Sequence, residues 1–381
     1  MKNKIFHIIL ILIIGILQSC RDPFEPDLSP QSVDFLVVEG YIEVSGESQI
    51  TLGRTSPINS IASPIQEEGA RVFLSDNLNL WDFEEKGNGR YTLNGNFDPT
   101  KEYTLSIWLK NGKQYTSAPM TPIISPEIEE LAFVQDNDGV EIYISTKGEQ
   151  EKQYFMWSYE EHWIFNAGIR SFLIYEEGSI RTRNEDERVD RCWKDNLNPK
   201  IVLQDAARFE DNRILQRELI RIPPRSEKLT NRYSVLVKQR AIDQDAFNFW
   251  EILRKNSDDI GGIFSPLPSL ITGNIQNPED PSEKVIGFIS MGKSANKRLY
   301  INASEVFPWP VFIPEYEFCQ ILQDTIPPTA SAIRDAFNNG IVVPVRDVWD
   351  GMFLIGYRGA DYRCVDCTLR GTNVRPEFWE D

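Results

Sequence analysis

The chain has 381 residues, enough for two or three domains, and a formal net charge of −17 at pH 7. Residues 1–19 contribute two lysines and no acidic residue, so the rest of the chain is more acidic still, at −19. A surface this acidic repels the phosphates of nucleic acids and of anionic lipids, which argues against nucleic-acid binding and against a polybasic membrane patch.

The first twenty residues have the pattern of an export signal. Two lysines precede an apolar run at 5–17, which is shorter than the ~20 residues that a permanent membrane helix needs. Leu17-Gln18-Ser19-Cys20 ends the run and places a thiol where a lipid can be attached. We therefore predict a lipoprotein signal peptide at 1–19 and a lipid anchor on Cys20. The alternative is an ordinary cleaved signal followed by an incidental cysteine.

A proline-rich and therefore stiff tether is predicted at 20–32, and a first domain at 33–122. In this domain, short runs of alternating apolar residues are separated by turn signals, as is typical of a β-sandwich. The predicted strands are 36–44, 49–52, 70–74, 80–83, 91–93, 103–109 and 114–117.

A second series of strands begins after residue 123. Runs at 131–134 and 140–145 flank Asp136-Asn137-Asp138-Gly139, which predicts a hairpin turn. The same four residues resemble the opening of a calcium loop, but the later oxygen ligands of an EF-hand are missing. A long aromatic strand is predicted at 154–163, with Trp157 in the core.

The second domain is predicted at 123–306, as a sandwich interrupted by a helix and by irregular insertions. Asp243 caps the predicted helix, which runs to about Lys255 and carries an apolar stripe of Phe247, Trp250 and Leu253. Further predicted strands are 233–239, 285–291 and 299–301. Residues 307–381 are predicted to form a cysteine-containing C-terminal extension packed on the second domain, with a short helix at 331–337.

Four cysteines follow Cys20: Cys192, Cys319, Cys364 and Cys367. An even number of cysteines in an exported chain predicts disulfides, and three pairings are open. Cys364 and Cys367, which have two residues between them, could instead form a redox or metal pair. We predict structural disulfides, because no helix start and no second pair of ligands accompany the two cysteines.

Catalytic chemistry has little support in the sequence. Apart from His7 in the predicted signal, the chain has one histidine, His162, and no glycine-flanked serine elbow accompanies it. Glu160 and Glu161 are acidic neighbours, but neighbours in a strand face opposite ways. We predict no catalytic residue, no metal and no cofactor. The tryptophans of the second half are predicted to be mostly core, with a sugar-binding surface as the alternative: Trp157, Trp193, Trp309, Trp349 and Trp379.

The chain resembles a family of outer-membrane lipoproteins called domain of unknown function 4249 (DUF4249). The resemblance lies in the Cys20 motif and in segments along nearly the whole chain: Leu36-Val37-Val38-Glu39-Gly40, Gly69-Ala70-Arg71-Val72, Tyr233-Ser234-Val235-Leu236-Val237-Lys238-Gln239, Phe247-x-Phe249-Trp250, Pro268-x-Leu270-x-x-Gly273-Asn274-Ile275, and Cys364-Val365-Asp366-Cys367-Thr368 to Pro376-x-Phe378-Trp379. Members are commonly encoded beside TonB-dependent receptors, so the resemblance implies a lipid-anchored protein of the outer membrane with a transporter partner. It carries no catalytic residues.

The expected fold is mainly all-β. An N-terminal sandwich, similar to immunoglobulin-like or carboxypeptidase-regulatory-like domains, is followed by a second, fibronectin-like sandwich with insertions. The leading hypothesis for function is a non-enzymatic accessory or ligand-binding lipoprotein of a TonB-dependent transporter. Alternatives are an adhesive or structural surface lipoprotein and a hydrolase of glycans or peptides, since sandwiches host all three roles. The ligand and the face of the outer membrane are left open.

Overall fold

A computed structural model describes residues 34–55, 65–149, 153–197, 200, 202–258 and 273–380. In these ranges the chain is mainly β, and its larger sheets face each other in pairs across apolar cores. The prediction of a mainly β, sandwich-like fold is confirmed. None of the described helices is long and apolar enough to cross a membrane.

The first sandwich contains strands β1 to β9. Their bounds are β1 (Leu36–Glu43), β2 (Ser45–Arg54), β3 (Ile65–Gln66), β4 (Arg71–Ser75), β5 (Leu80–Asp82), β6 (Glu84–Gly87), β7 (Arg90–Asn96), β8 (Thr104–Trp108) and β9 (Gln114–Ser117). Seven of them match the predicted runs, whereas the short strands β3 and β6 were not predicted. One sheet contains β1, β2, β7 and β6, and the other contains β9, β8, β4 and β5. Val38 and Leu52 from the first sheet are buried with Leu74 and Ile107 from the second, so one core holds both sheets together.

The second sandwich follows the short strand β10 (Ile123–Ile124). Its strands are β11 (Ile128–Asp136), β12 (Gly139–Lys147), β13 (Tyr154–Asn166), β14 (Leu173–Glu176), β15 (Ser179–Thr182), β16 (Arg191–Leu197), β17 (Val202–Asp205), β18 (Arg213–Ile222) and β19 (Arg232–Ile242). A sheet of β11, β12 and β18 faces a sheet built on β16, β13 and β19.

Trp157 lies at the centre of this second core and is fully buried, as predicted. Its indole Nε1 donates to Gln239 Oε1 at 2.9 Å, from the directly opposite position on β19. Gln239 in turn donates to Pro126 O at 2.9 Å and to Thr146 Oγ1 at 3.1 Å. The buried polar groups therefore have partners, which connect β13, β19 and β12 across the core.

Helix α1 (Gln244–Asp258) packs on the outer side of β13, β17 and β19. Asp243 caps it as predicted, because its Oδ1 accepts from the backbone N of Ala246 at 2.7 Å. Phe247 is buried, as predicted. Phe249 does not belong to the predicted apolar stripe, but it is also buried and packs against Phe288.

The next strands correct the predicted domain boundary. β20 (Ile275–Gln276), β21 (Val285–Ile286) and β22 (Ser290–Lys293) join the sheets of the first sandwich, whereas 123–306 had been assigned to the second. β21 and β22 run parallel to β1, and β20 pairs with β9. Glu283 holds this segment in place by accepting from Lys113 Nζ at 2.7 Å and from Tyr115 Oη at 2.9 Å. β23 (Ala295–Asn302) then returns to β19 in the second sandwich.

The C-terminal extension contains helix α2 (Ala330–Phe337), the hairpin of β24 (Val342–Asp350) and β25 (Phe353–Asp361), and helix α3 (Tyr362–Val365). α2 matches the predicted short helix. Short 3-10 helices lie at Glu185–Glu187, Ala206–Arg208, Glu210–Asn212, Glu227–Leu229, Ala303–Val306, Pro314–Tyr316 and Cys367–Leu369. The last of these brings the extension against β16, where Trp193 and Thr372 form a β-bridge.

Candidate functional site

The predicted lipidation residue, Cys20, lies outside the described residues, together with the signal at 1–19 and the tether at 20–32. The described part of the chain contains the other predicted cysteines, the histidine, the acidic pair and five tryptophans of the second half.

The four remaining cysteines form two disulfides. Cys192 pairs with Cys367, and Cys319 pairs with Cys364. The prediction of structural disulfides is confirmed, and the structure selects one of the three pairings. A redox or metal pair of Cys364 with Cys367 is wrong, because each of them bonds to a distant cysteine. Both sulfurs of the first disulfide are in fully buried residues, so it fastens the C-terminal extension to β16.

His162 lies on β13 and stacks edge-on against Phe378, with ring centroids 4.6 Å apart. Burial lowers the pKa of this imidazole, and the positive charge of Arg298 lowers it further. Its Nδ1 is buried without a hydrogen-bond partner. These surroundings match the predicted histidine among aromatics, and they favour the neutral ring.

Glu160 and Glu161 face opposite ways on β13, as predicted for strand neighbours. Glu160 is exposed, whereas Glu161 is 2% exposed. Glu161 Oε1 accepts from Lys228 Nζ and from Tyr233 Oη, both at 2.7 Å, and Oε2 accepts from Asn196 Nδ2 at 2.8 Å. Both oxygens of this buried carboxylate therefore accept hydrogen bonds from neighbouring side chains, as in a structural ion pair.

The Asp136-Asn137-Asp138-Gly139 segment is a hairpin turn, as predicted. Asp136 Oδ1 accepts from the backbone N of Asp138 at 2.8 Å, and the same carboxylate pairs with Arg221 at 3.0 Å. A guanidinium therefore occupies the position beside this carboxylate. Across the described ranges, no group of three or more His, Cys, Asp or Glu side chains is placed to hold a metal ion.

The tryptophans divide between core and surface. Trp157 and Trp379 are buried, and Trp309 is partly buried and donates to Ser226 O at 2.8 Å. Trp349 is instead 57% exposed at the end of the β24–β25 hairpin, where Met352 is 89% and Phe353 76% exposed. We call this end, residues 349–353, the apolar hairpin tip. Exposed apolar groups that cluster in this way mark interaction sites more often than scattered single ones do.

A pocket of about 440 Å³ lies where β13, β16, β19 and the end of the chain meet. Among the described residues, its wall contains Arg170, Arg188, Arg191 and Arg232, with Asp190 as the acidic member. Sequence reasoning missed this pocket, because the total charge of −17 hides a local excess of arginine. Arg170 and Arg232 also lie far from Arg188 and Arg191 along the chain, so no spacing pattern connects the four.

Comparisons with known proteins identify one family. The family model of the domain of unknown function DUF4249 matches residues 21–298, so the resemblance extends over most of the chain but not to the predicted motifs at 364–379. A search of curated proteins gives no match.

Among solved structures, the chitinase ChiA74 from Bacillus thuringiensis is 13% identical over 45% of this chain. This chain spans 29% of that chitinase, and the TM-score of 0.15 carries no argument about fold or activity. The match over 21–298 includes the first sandwich and all of the second except the end of β23, and it makes this chain a member of the DUF4249 family.

Proposed function

We propose that this protein is a non-enzymatic lipoprotein, anchored to the outer membrane through Cys20, that serves a TonB-dependent transporter as an accessory or ligand-binding partner. The observation that carries the proposal is the sequence Leu17-Gln18-Ser19-Cys20 directly after a short apolar run. Acyl chains contribute ~0.8 kcal/mol per buried CH₂, so two or three chains on one cysteine are sufficient for a stable anchor.

The two disulfides support an exported protein. Disulfides persist in oxidising compartments such as the periplasm and the cell surface, and they are rare in the cytosol. Both pairs lie in or next to the C-terminal extension. They therefore stiffen the part of the molecule that also carries the apolar hairpin tip.

The apolar hairpin tip supports a protein partner. Aromatic residues and methionine are enriched where protein interfaces bury their central contacts. Trp349, Met352 and Phe353 present such side chains on a hairpin whose strands continue into the disulfide-bonded region. The partner that the family resemblance implies is a TonB-dependent receptor, whose loops could cover this tip.

The hydrolase alternative needs convergent carboxylates in a concave site. In the arginine-lined pocket the lining carboxylate is Asp190, which is already held by Arg188 through two hydrogen bonds of 2.9 and 2.8 Å. Within this pocket, the arrangement favours binding over hydrolysis. The adhesive alternative predicts a different phenotype, in which loss of the protein changes attachment and leaves uptake unchanged.

Immunoprecipitation of the full-length protein from detergent-solubilised membranes of the organism that encodes it tests the proposal. A TonB-dependent receptor should be recovered and identified by mass spectrometry. Met352→Ser combined with Phe353→Ser should lower its recovery roughly tenfold, because a few buried anchors carry most of the free energy of an interface.

The matched control is Leu78→Ser, since Leu78 is 87% exposed in the first sandwich, away from the tip. This variant should recover as much receptor as the wild type. If repeated immunoprecipitations from these membranes recover no receptor, the proposal of a transporter partner is contradicted. If the wild type, the double variant and Leu78→Ser all recover the same amount of receptor, the hairpin tip does not contact the receptor.

A further inference from the structure

We infer that the arginine-lined pocket binds a small organic anion, one that carries a carboxylate, sulfate or phosphate group on a body the size of one or two sugar rings. This inference goes beyond the proposed function, because such a ligand could bind whether or not a transporter is the partner. The pocket volume of about 440 Å³ lies in the range of small-molecule sites.

The first argument is charge. Asp190 is 2% exposed and accepts two hydrogen bonds from Arg188, and its Oδ2 lies 3.4 Å from Arg170 Nε. One buried carboxylate therefore faces two guanidinium groups. Arg191 and Arg232 add two further positive charges to the wall, and neither forms an ion pair with a described carboxylate. The pocket keeps a positive excess in a protein whose net charge is −17.

The second argument is unsatisfied hydrogen bonding. Trp379 lines the pocket at 3% exposure, and its indole Nε1 is buried without an acceptor. Arg232 Nε is likewise buried without an acceptor. Buried donors in native structures almost always have an acceptor. Both donors lie just beneath the pocket surface, so the positive charge of the wall remains the feature that selects an anion.

The third argument is that the wall is held in place by aromatic packing. The Arg232 guanidinium lies 4.5 Å from the centroid of the Tyr300 ring, and the Trp379 ring meets Tyr300 edge-on at 5.8 Å. The Tyr300 hydroxyl donates to the backbone O of Phe378 at 2.9 Å, which fixes the end of the chain. Arg191 is placed over the Trp193 ring at 5.5 Å.

This arrangement fits oxyanions better than neutral ligands. A guanidinium presents a planar fork of N–H donors that matches the oxygens of a carboxylate or phosphate. Because its aromatic neighbours already restrict Arg232, less side-chain entropy is lost when an anion binds. Phosphate, sulfate and carboxylate share this chemistry, so the choice among them is left to the experiment.

Isothermal titration calorimetry of the full-length protein in detergent tests the inference with three probes on one ring. Glucose is the neutral probe, glucuronate carries a carboxylate, and glucose 6-phosphate carries a phosphate. Each probe is titrated to about 10 mM, a concentration at which a site with a millimolar Kd is nearly saturated. At least one charged probe should bind, and glucose should not. Whichever charged probe binds identifies the oxyanion.

Two variants assign the binding to the pocket. Arg191→Gln removes an exposed, unpaired charge and should weaken binding about tenfold or more, because hydrogen bonds to charged groups are strong. Trp379→Phe keeps the buried ring and removes an indole donor that lies beneath the pocket surface, so it should weaken binding less than Arg191→Gln does. Arg213→Gln is the control, since Arg213 is a surface arginine paired with Glu129 at 2.8 Å on the other sheet. It should bind like the wild type, and thermal unfolding should confirm that each variant is folded.

Failure of both charged probes to bind would overturn the inference, as would equal loss in Arg191→Gln and Arg213→Gln. If small anions fail but Arg191→Gln weakens receptor recovery, the pocket is a contact for an acidic protein segment, and the small-ligand inference is wrong. If Arg191→Gln loses anion binding but recovers as much receptor as the wild type, the proposed function is unaffected. The two claims can therefore be contradicted independently.

Discussion

The ionisation of His162 should make the free energy of unfolding depend on pH. Burial and Arg298 hold its pKa below the value of about 6.5 that it has in an unfolded chain. As the pH falls below about 6.5, the unfolded state therefore takes up a proton before the folded state does. The free energy of unfolding should decrease over that interval, and the loss should end once the folded state is protonated too.

His162→Phe removes this component and also removes the unpartnered Nδ1. Urea unfolding at a series of pH values from about 8 to about 5 measures the effect. The stability of the variant relative to the wild type should rise as the pH falls, so the difference between them should be larger at the lower end than at the upper end. A constant difference between the two proteins at every pH would show that His162 does not titrate as its surroundings imply.

Glu161 and Glu160 form a matched pair of neighbours with opposite environments. Glu161→Gln leaves the partly buried Lys228 ammonium without its carboxylate, and loss of a buried partner should cost about 3 kcal/mol. Glu160→Gln changes an exposed side chain and should cost less than about 0.5 kcal/mol. Chemical unfolding of both variants at neutral pH compares them, and similar costs would contradict the assigned structural role of Glu161.

At the residue scale, the sequence indicated which side of a strand a residue faces but not which partners it finds. The opposite directions of Glu160 and Glu161 follow from the two-residue period of any strand. The contacts of Glu161 with Lys228 and Tyr233 depend on where a later segment crosses, which no local pattern encodes. The arginine-lined pocket was missed for the same reason, since its wall joins Arg170, in the segment after β13, to Trp379 near the end of the chain.

Among the elements, the disulfide between Cys192 and Cys367 is expected to dominate the stability of the C-terminal extension. It closes a loop of 175 residues, whereas Cys319 and Cys364 are separated by 45. Because a longer closed loop removes more entropy from the unfolded chain, loss of the first disulfide should cost more, within the usual range of about 2–5 kcal/mol.

The double variants Cys192→Ala/Cys367→Ala and Cys319→Ala/Cys364→Ala test this order. Thermal unfolding should show the larger loss for the first variant. Limited proteolysis should release fragments after residue 307 from the first variant sooner than from the second. Equal unfolding midpoints, or faster cleavage in the second variant, would refute this order.

Most strands of the first sandwich were predictable because apolar residues recur within each of them at the spacing of a strand. β1 buries Leu36, Val38 and Ile42, and a two-residue period shows this without knowledge of the partner strand. The return of β21 and β22 to the first sandwich was not predictable. Its pairing with β1 is parallel and joins segments far apart in sequence, and such a connection leaves no turn signal.

At the scale of the whole molecule, the two sandwiches are connected by more than one crossing of the chain. The chain leaves the first sandwich, builds most of the second, and comes back through β20 to β22 before it completes the second with β23. Arg240 of the second sandwich also lies 4.4 Å from the Tyr41 ring of the first. The family match over 21–298 extends across this crossing and ends within β23.

The proposed role also places constraints on the whole molecule. The predicted anchor at Cys20 precedes the first sandwich, whereas the apolar hairpin tip and the arginine-lined pocket belong to the second sandwich and its extension. A lipid-held protein of this design has separate regions for attachment and for recognition. Changes at the tip or in the pocket should therefore leave membrane attachment intact.

Metabolic labelling with a radioactive fatty acid, followed by membrane fractionation, tests the central claim of a lipid-anchored binding protein most directly. The wild type should be labelled and recovered with the outer membrane. Cys20→Ala should be unlabelled and released from it, while the control Cys319→Ala/Cys364→Ala keeps both label and location. A Cys20→Ala protein that is still labelled and still held in the outer membrane would contradict the account.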